Sequence, residues 1–477
     1  MAPKTRLEHK GPLAHLILDD PDEKLNTLGA AMIAELSAQV AALKADPTVK
    51  AVVIRSAKKG GFLAGANLNE LQAMSNAADP AGEGYRAAKA GQALMNAFED
   101  LGKPVVAAIH GPALGGGCEL ALACCARVAA TEGVRIGLPE IQLGILPGFG
   151  GTWRLPRLVS FAGGVPVLLS STQLDARRAF KLGLVDDSAP LEQLVAVAGT
   201  LALKLTAPGA VQALAKARRA RQPLMNRALD RGPLRAVVLN KARAAVLAKT
   251  KERYPAPLRA IEVMRRGSTR DAYLEHEAKA LGDLLATEVS KNLVRLFFLG
   301  QDAKKQSKGG NGSVGSVAVV GAGFMGSGIA IPLVSKAKLR TALKEANLDV
   351  LGKALKKVRT YLDKAVSKKR LSPAEAAAQF NLLWPGAEAR DMGRVDLVIE
   401  AVPEVLSIKR AVFSELEALV PETAVLASNT STLPIADIAS QAVHPERIVG
   451  MHFFSPAELM PLVEVIPGAQ TSERTVG

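Results

Sequence analysis

A run of three glycines, Gly115 to Gly117, interrupts an apolar stretch and precedes residues that favour helix, in HGPALGGGCELALA, residues 110–123. Glycine adopts backbone conformations closed to other residues and lets another backbone approach closely. The pattern predicts a tight turn that opens a helix, with Glu119 in its first turn. N–H groups at a helix N-terminus favour negative charge, so this turn can stabilise an oxyanion beside a carboxylate. The alternative is a plain strand-to-helix turn with Glu119 exposed to solvent.

Two further stretches combine glycine, apolar residues and groups that could take part in chemistry. Glu140 lies in GLPEIQLGILPGFGG, residues 137–151, and Ala66 lies in GGFLAGAN, residues 60–67. Two carboxylates in such surroundings suit acid–base chemistry, because burial pushes their pKa values apart. We therefore expect Glu119 and Glu140 to share a site, with a backbone N–H near Ala66 as a further donor.

Together the three stretches resemble the enoyl-CoA hydratase (crotonase) family. The resemblance implies a crotonase-type ββα spiral and an oxyanion hole made by the backbone N–H groups of Ala66 and Gly116. It also implies that Glu119 and Glu140 are the catalytic glutamates. The expected reaction is hydration of a trans-2-enoyl-CoA to a 3-hydroxyacyl-CoA.

Composition bounds the class of protein. The chain has 477 residues, which suggests two or three domains. Its net charge of +15 favours anionic partners such as phosphate-bearing coenzymes. Only 4% of residues are aromatic, so we expect no nucleic-acid partner. The three cysteines show neither zinc spacing nor a disulfide pattern, so we expect no metal and a reducing, cytoplasmic location. No apolar run is long enough to predict a transmembrane segment.

Strand and helix patterns alternate along the first part of the chain. Apolar residues 13–18, 50–55 and 104–109 predict strands, and 29–45 predicts an amphipathic helix. Such alternation is typical of an α/β fold with parallel strands. We predict three regions: a hydratase core at 1–190, a helical region and linker at 191–313 with its polar, Gly-rich end at 301–313, and a second α/β domain at 314–477.

The second α/β domain opens with a Gly-rich turn, in GSVAVVGAGFMGSGIAI, residues 315–331. Gly321, Gly323 and Gly326 follow a predicted strand and precede a predicted helix. Glu345 lies about twenty-four positions beyond the first of these glycines. This context is typical of a Rossmann-type dinucleotide site, in which the acidic residue accepts from the adenosine ribose. We therefore predict NAD, rather than NADP, as the cofactor.

Later stretches of this domain resemble the 3-hydroxyacyl-CoA dehydrogenases. These are AVPEVLSIK at 401–409, SNTSTLPI at 428–435 and GMHFFSPAELMPLVEVI at 450–466. The resemblance implies a catalytic pair of His452 and Glu464 and a contact from Ser431 to the substrate oxygen. It also places Glu404 and Lys409 near the nicotinamide end of the cofactor.

The chain as a whole resembles the multifunctional fatty-acid oxidation enzymes of the alpha subunit type, which join a hydratase to a dehydrogenase. That resemblance implies acyl-CoA substrates and a 3-ketoacyl-CoA thiolase subunit as a partner. Relatives continue beyond the strand that carries Glu464, so we expect a C-terminally truncated dehydrogenase with impaired activity. Departures from the family pattern are Asn67, Cys125-Ala126, Ser455 and Glu458.

Two other functions stay open from the sequence. A double-bond isomerase, or another crotonase-type acyl-CoA enzyme, shares the oxyanion hole and can share the carboxylates. A non-catalytic subunit that binds acyl-CoA or assembles with a partner needs neither glutamate, so the presence of both favours an enzyme.

Overall fold

The computed structural model describes residues 2–230, 234–266, 269–306, 313–368, 370–387 and 392–477. It divides into two compact units after Gly300. The predicted three-part division at 190 and 313 remains a prediction, and residues 307–312 of the expected linker lie outside the described residues.

The first unit contains strands and helices in repeated alternation. Its strands are β1 Thr5–Lys10, β2 Leu13–Leu18, β3 Ala51–Ser56, β4 Val105–Ile109, β5 Pro112–Leu114, β6 Ala126–Ala130, β7 Arg135–Gly137 and β8 Asp187–Ala189. Its first helices are α1 Ala30–Ala45, α2 Leu68–Ser75, α3 Pro80–Glu99, α4 Gly116–Ala123, α5 Gly151–Val159, α6 Phe161–Leu169 and α7 Ala176–Leu182. The later helices are α8 Leu194–Lys204, α9 Ala210–Arg221, α10 Leu224–Leu229, α11 Leu234–Thr250, α12 Pro255–Arg265, α13 Arg270–Leu285 and α14 Glu288–Gln306, which continues past the division.

A six-stranded sheet, in the order β1-β2-β3-β4-β6-β8, forms the centre of this unit, and β5 pairs with β7 in a separate ribbon. Every neighbouring pair in the larger sheet is parallel except β1 with β2. All residues of β2 and β4 are buried, as expected for parallel strands covered on both faces. The buried face of α1 repeats every three or four residues at Met32, Leu36, Val40 and Leu43. The four predicted elements of this region are all present, with bounds shifted by about one residue.

The second unit is a doubly wound sheet. Its strands are β9 Ser316–Val320, β10 Arg340–Lys344, β11 Leu383–Gly386, β12 Leu397–Glu400, β13 Val425–Ser428, β14 Ile448–Phe453 and β15 Val463–Pro467. Its helices are α15 Phe324–Pro332, α16 Leu348–Ser367, α17 Pro373–Phe380, α18 Leu406–Leu419, α19 Ile435–Ala439 and α20 Glu473–Val476. The strand order is β11-β10-β9-β12-β13-β14-β15, with only the last pair antiparallel. The direction of strand order reverses between β9 and β12, where such folds bind dinucleotides.

Candidate active sites

The glycine turn of the first unit packs against the FLAGAN segment. Leu63 N–H donates to the carbonyl of Pro112 at 3.1 Å, and Leu114 N–H donates to the carbonyl of Leu63 at 3.1 Å. Gly115, at φ 52°, then turns the chain into α4. A Cβ on Gly117 would lie 2.4 Å from the Leu63 carbonyl oxygen, so this contact needs glycine. The turn therefore brings two separate segments of backbone together.

Among the described residues, the backbone N–H groups expected to form the oxyanion hole have no backbone acceptor. Gly116 is the first residue of α4, where N–H groups have no intrahelical acceptor. Gly65, which precedes Ala66, has its Cα 3.6 Å from the position of a Cβ on Gly115. Within the described part of the chain, neither the Gly116 nor the Ala66 N–H donates to another backbone group. Both N–H groups, on two segments that pack together, are therefore available as donors to a ligand.

Glu119 is buried, and only 2% of its surface is exposed. Its Oε1 accepts from the N–H groups of Phe149 and Gly151, at 2.8 and 2.7 Å. Burial, followed by the charges of Glu140 and Glu277, raises its pKa well above the usual range. The alternative of a solvated first-turn residue is therefore wrong.

Glu140 begins a short 3-10 turn, Glu140–Leu143. Its Oε2 is buried and has no hydrogen-bond partner among the described residues. Its Oε1 lies 3.0 Å from the position of a Cβ on Gly115, beside the glycine turn. Burial first, and then the charge of Glu277, raises the pKa of Glu140 to about 8. The raised pKa favours the protonated form of this carboxyl group, which can donate a proton.

A third buried glutamate, Glu277 on α13, was missed by the sequence analysis. It is fully buried, and burial raises its pKa to about 7. A usable signal was present: Glu277 lies four residues after Tyr273 and four before Leu281, both buried, so it falls on the apolar face of α13. A carboxylate at such a position needs partners from elsewhere in the fold.

One departure from the family pattern has a simple structural account. The side-chain oxygen of Asn67 accepts from the N–H groups of Asn69 and Glu70 and caps α2. Asparagine and aspartate serve about equally well as N-caps. The change at this position therefore preserves the local structure next to Ala66.

The Gly-rich turn of the second unit has the geometry of a dinucleotide site. Gly321, at φ +94°, turns the chain after β9, and a Cβ on Gly326 would lie 1.8 Å from the Gly321 carbonyl oxygen. A Cβ on Gly323 would meet nothing within 4 Å, so open space faces this backbone. Glu345, after β10, accepts from the Ala322 N–H at 2.9 Å. The turn, the start of α15 and this carboxylate thus lie together, as NAD binding requires.

A network of hydrogen bonds surrounds Glu404 after β12. Its Oε1 accepts from the Thr430 hydroxyl at 2.6 Å and the Ser431 N–H at 2.8 Å. Burial acts to raise the pKa of Glu404, but these bonds and Lys409 outweigh it and lower the pKa to about 2. The Lys409 ammonium is 2.8 Å from Glu400 and 3.2 Å from Glu404.

Lys409 and Glu400 are both buried in this network, with side-chain exposures of 1% and 0%. The ammonium is therefore enclosed between carboxylates, and it holds Glu404 in place. Glu400 is a second residue that the sequence alone did not indicate. Its position in an apolar strand does not reveal that it pairs with Lys409, nine residues later.

His452 and Glu464 are directly opposite each other on β14 and β15. The imidazole Nδ1 and the carboxylate Oε2 are 2.8 Å apart. The Asn429 side chain accepts from the Phe453 N–H at 2.8 Å and so ties the loop after β13 to the histidine strand. The hydrogen bonds of Ser431 are to Glu404 and not to His452. Nothing in the structure explains Glu458, whose Oε2 is buried without a hydrogen-bond partner among the described residues.

Comparisons with known proteins match a different family to each of two parts of the chain. Residues 8–232 match the model of the enoyl-CoA hydratase/isomerase family, and residues 316–477 match that of the 3-hydroxyacyl-CoA dehydrogenase, NAD binding domain. The chain therefore joins a hydratase/isomerase-family domain to a dehydrogenase-family NAD-binding domain.

Curated relatives align with nearly the whole of this chain. The chain is 40% identical over 469 residues to the fatty acid oxidation complex subunit alpha of Vibrio vulnificus and 40% identical over 474 residues to that of Shewanella loihica. Each alignment covers 97% of this chain and 65% of the relative, so the chain spans about two-thirds of their length. A solved enoyl-CoA hydratase/isomerase from Mycobacterium paratuberculosis is 25% identical, covers 62% of this chain and 99% of its own, and has a TM-score of 0.44. Of the helices described here, none is both long and apolar enough to cross a bilayer.

Proposed function

We propose that the first unit hydrates trans-2-enoyl-CoA to 3-hydroxyacyl-CoA. The observation that carries the proposal is that the buried Glu119 and the half-buried Glu140 lie at the glycine turn, where the Ala66 and Gly116 N–H groups donate to no other backbone group of the described residues. Burial raises the pKa of both carboxyl groups, so the hydrogen bonds decide between them: Glu119 accepts two N–H bonds, which favour its ionised form, whereas one Glu140 oxygen has no partner among the described residues. We therefore assign the negative charge to Glu119 and the proton to Glu140.

The reaction follows from this assignment. The N–H groups of Ala66 and Gly116 hold the thioester oxygen as it gains negative charge. Glu119 takes a proton from water while the water oxygen bonds to C3 of the enoyl group. Glu140 then gives its proton to C2, so the elements of water are added across the double bond.

Turnover of crotonyl-CoA tests this function. The chain should consume the enoyl absorbance, and in water labelled with oxygen-18 the product should carry the label at C3. Glu119→Gln and Glu140→Gln should each lower kcat by at least ~100-fold with little change in KM, the scale of a positioned acid or base. Glu132→Gln, at an exposed turn, is the matched control.

The same measurements separate the alternatives. An isomerase would interconvert 2-enoyl-CoA and 3-enoyl-CoA without taking up labelled oxygen. A non-catalytic subunit would bind acyl-CoA in calorimetry without turnover. Either result would contradict hydration as the main activity of this unit.

We propose that the second unit serves NAD-dependent oxidation of the 3-hydroxyacyl-CoA product. NAD, when bound, supplies the hydride acceptor at this site. Gly321, Gly323 and Gly326 admit the pyrophosphate, and Glu345 accepts from the adenosine ribose hydroxyls. Glu404, held by Lys409, stands near the nicotinamide end.

His452 takes the proton of the substrate hydroxyl, and Glu464 orients the imidazole and stabilises its charged form. Ser431 contacts the substrate oxygen. His452→Ala should abolish whatever NADH formation from 3-hydroxybutyryl-CoA the unchanged chain shows, and leave crotonyl-CoA hydration unchanged. Glu345→Ala should weaken NAD binding measured by calorimetry. Unchanged NAD affinity in this variant would remove Glu345 from the site.

The names of the curated relatives also point to a partner for this chain. Because they are named subunits of a complex, we propose a partner subunit of the 3-ketoacyl-CoA thiolase type. Co-elution of the chain with such a thiolase on size exclusion tests it, and separate elution at micromolar concentrations contradicts it. All three cysteines are free, which supports the proposed cytoplasmic location.

A further inference from the structure

We propose that Glu277 is a positioning residue for Glu119, and that the two carboxylates together fix the geometry and the charge of the hydration site. This inference rests on the proposed hydratase function of the first unit. It extends the site to α13, which lies well beyond the three stretches that carry the family resemblance.

The loop at residues 149–152 gives its backbone N–H groups to the two glutamates in alternation. Phe149 and Gly151 donate to Glu119 at 2.8 and 2.7 Å. Gly150 and Thr152 donate to Glu277 at 2.6 and 3.1 Å. Four successive N–H groups therefore hold two carboxylates, and neither carboxylate can move without shifting the loop that binds the other.

Further contacts fix Glu277 itself. The Thr152 hydroxyl donates to its Oε2, and the Gln92 amide donates to its Oε1 at 3.3 Å. The same Gln92 amide donates to the Gly148 carbonyl at 3.0 Å, just before the loop. Glu277, Gln92 and Thr152 thus enclose the loop from three helices, α13, α3 and α5.

The charge of Glu277 is not neutralised by an ion pair. Among the described residues, no Lys, Arg or His nitrogen lies within salt-bridge distance of it, and the nearby Arg154 pairs with Glu99 at 2.8 Å. A buried carboxylate without a cation is costly, and the N–H and O–H groups that donate to both of its oxygens offset part of that cost. The titratable groups that face it are Glu119, Glu140, Tyr273 and Arg154.

Glu277 therefore has two effects on the site. It aims the N–H groups of residues 149 and 151 at Glu119, because it accepts from the N–H of Gly150, which lies between them, and from that of Thr152. Its negative charge also raises the pKa values of Glu119 and Glu140, which keeps a proton on the pair at neutral pH. Loss of the charge should lower both pKa values.

Glu277→Gln tests both effects, because glutamine keeps the size of the side chain, removes its charge, and replaces one acceptor oxygen with an NH2 group that cannot accept from residues 150 and 152. We expect kcat for crotonyl-CoA to fall ~10- to 100-fold, the scale of small misplacement of a catalytic group, with KM changed less than about threefold. The ionised base is needed above its pKa and the protonated acid below its own. Both limbs of the kcat–pH profile should therefore move to lower pH. Glu275→Gln, on the same helix and bonded to Tyr85 and Lys89, should leave rate and profile unchanged.

A second readout does not depend on turnover. Carbon-13 NMR titration of the glutamate side-chain carboxyls should show Glu119 and Glu140 titrating at lower pH in Glu277→Gln than in the unchanged chain. A slower enzyme with an unmoved pH profile and unmoved titrations would overturn the proposal and leave Glu277 as a structural residue. Absence of hydration by the unchanged chain would instead contradict the proposed function, whatever Glu277 does to the titrations.

Discussion

Replacing Gly117 with alanine should damage the hydration site more than the same change at Gly116, although Gly116 is the proposed oxyanion donor. A Cβ on Gly117 would lie 2.4 Å from the Leu63 carbonyl oxygen and 2.9 Å from the Leu63 Cβ. The first contact is about 0.6 Å short of the 3.0 Å that real Cβ atoms respect. The obstacle is backbone, so the FLAGAN segment and the start of α4 must separate by roughly that distance.

This separation has two measurable consequences. It moves the Ala66 and Gly116 N–H groups apart, and because ~1 Å of misplacement costs about 100-fold, kcat should fall ~10- to 100-fold. Forcing extra volume into a packed contact should also lower the free energy of unfolding by about 1–3 kcal/mol. Crotonyl-CoA turnover and urea unfolding measure the two effects.

Two matched variants complete the experiment. In Gly116→Ala the nearest atoms are side-chain ends, Leu28 Cδ2 at 3.2 Å and the Phe149 ring at 3.3 Å, which can give way. Its kcat should fall less than that of Gly117→Ala. Gly352→Ala, on α16 with nothing within 4 Å of the new Cβ, should leave hydration unchanged. If Gly117→Ala has the kcat and stability of the unchanged chain, the close packing of these segments does not position the donors.

Three further predictions concern charge and stability. The pKa values of Glu140 and Glu277 rise on folding from the usual 4.5 to about 8 and about 7. Between about pH 5 and 8 the folded state therefore binds more protons than the unfolded state, so the free energy of unfolding should fall as the pH rises from about 5 to 8. Thermal unfolding checks this, and Glu140→Gln should flatten the dependence. Glu404 has the opposite effect on the pH dependence of stability, because its pKa is lowered to about 2. Its contribution to stability should be lost as the pH falls from about 4.5 to 2, and Glu404→Gln should lessen that loss in acid unfolding. Lys409→Met leaves Glu400 buried without its cation and should lower the free energy of unfolding in urea by about 3–5 kcal/mol. Arg359→Met, in an exposed pair with Asp363, should lower it by less than ~1 kcal/mol. Equal losses in the two variants would contradict the burial of the Lys409–Glu400 pair.

Local sequence patterns determined a large part of this protein. Continuous apolar runs predicted the buried strands β2 and β4, because parallel strands covered on both faces leave little room for polar residues. The glycines at 115–117 and at 321–326 predicted tight turns into helices, because no side chain fits where backbones meet. The resemblance to two enzyme families was also readable from short motifs, and models of these two families match residues 8–232 and 316–477.

Only the tertiary structure decided which side chains share an environment. Sequence reasoning left open whether Glu119 is solvated, since exposure depends on the loop at residues 149–151 that folds over it. Glu277 contacts that loop across more than 120 residues of sequence, and Glu400 finds Lys409 only because β12 and α18 pack together. Local patterns specify backbone conformation, whereas burial, charge and pKa arise from contacts between distant segments, which is why the carboxylate environment of the site emerged only in the folded chain.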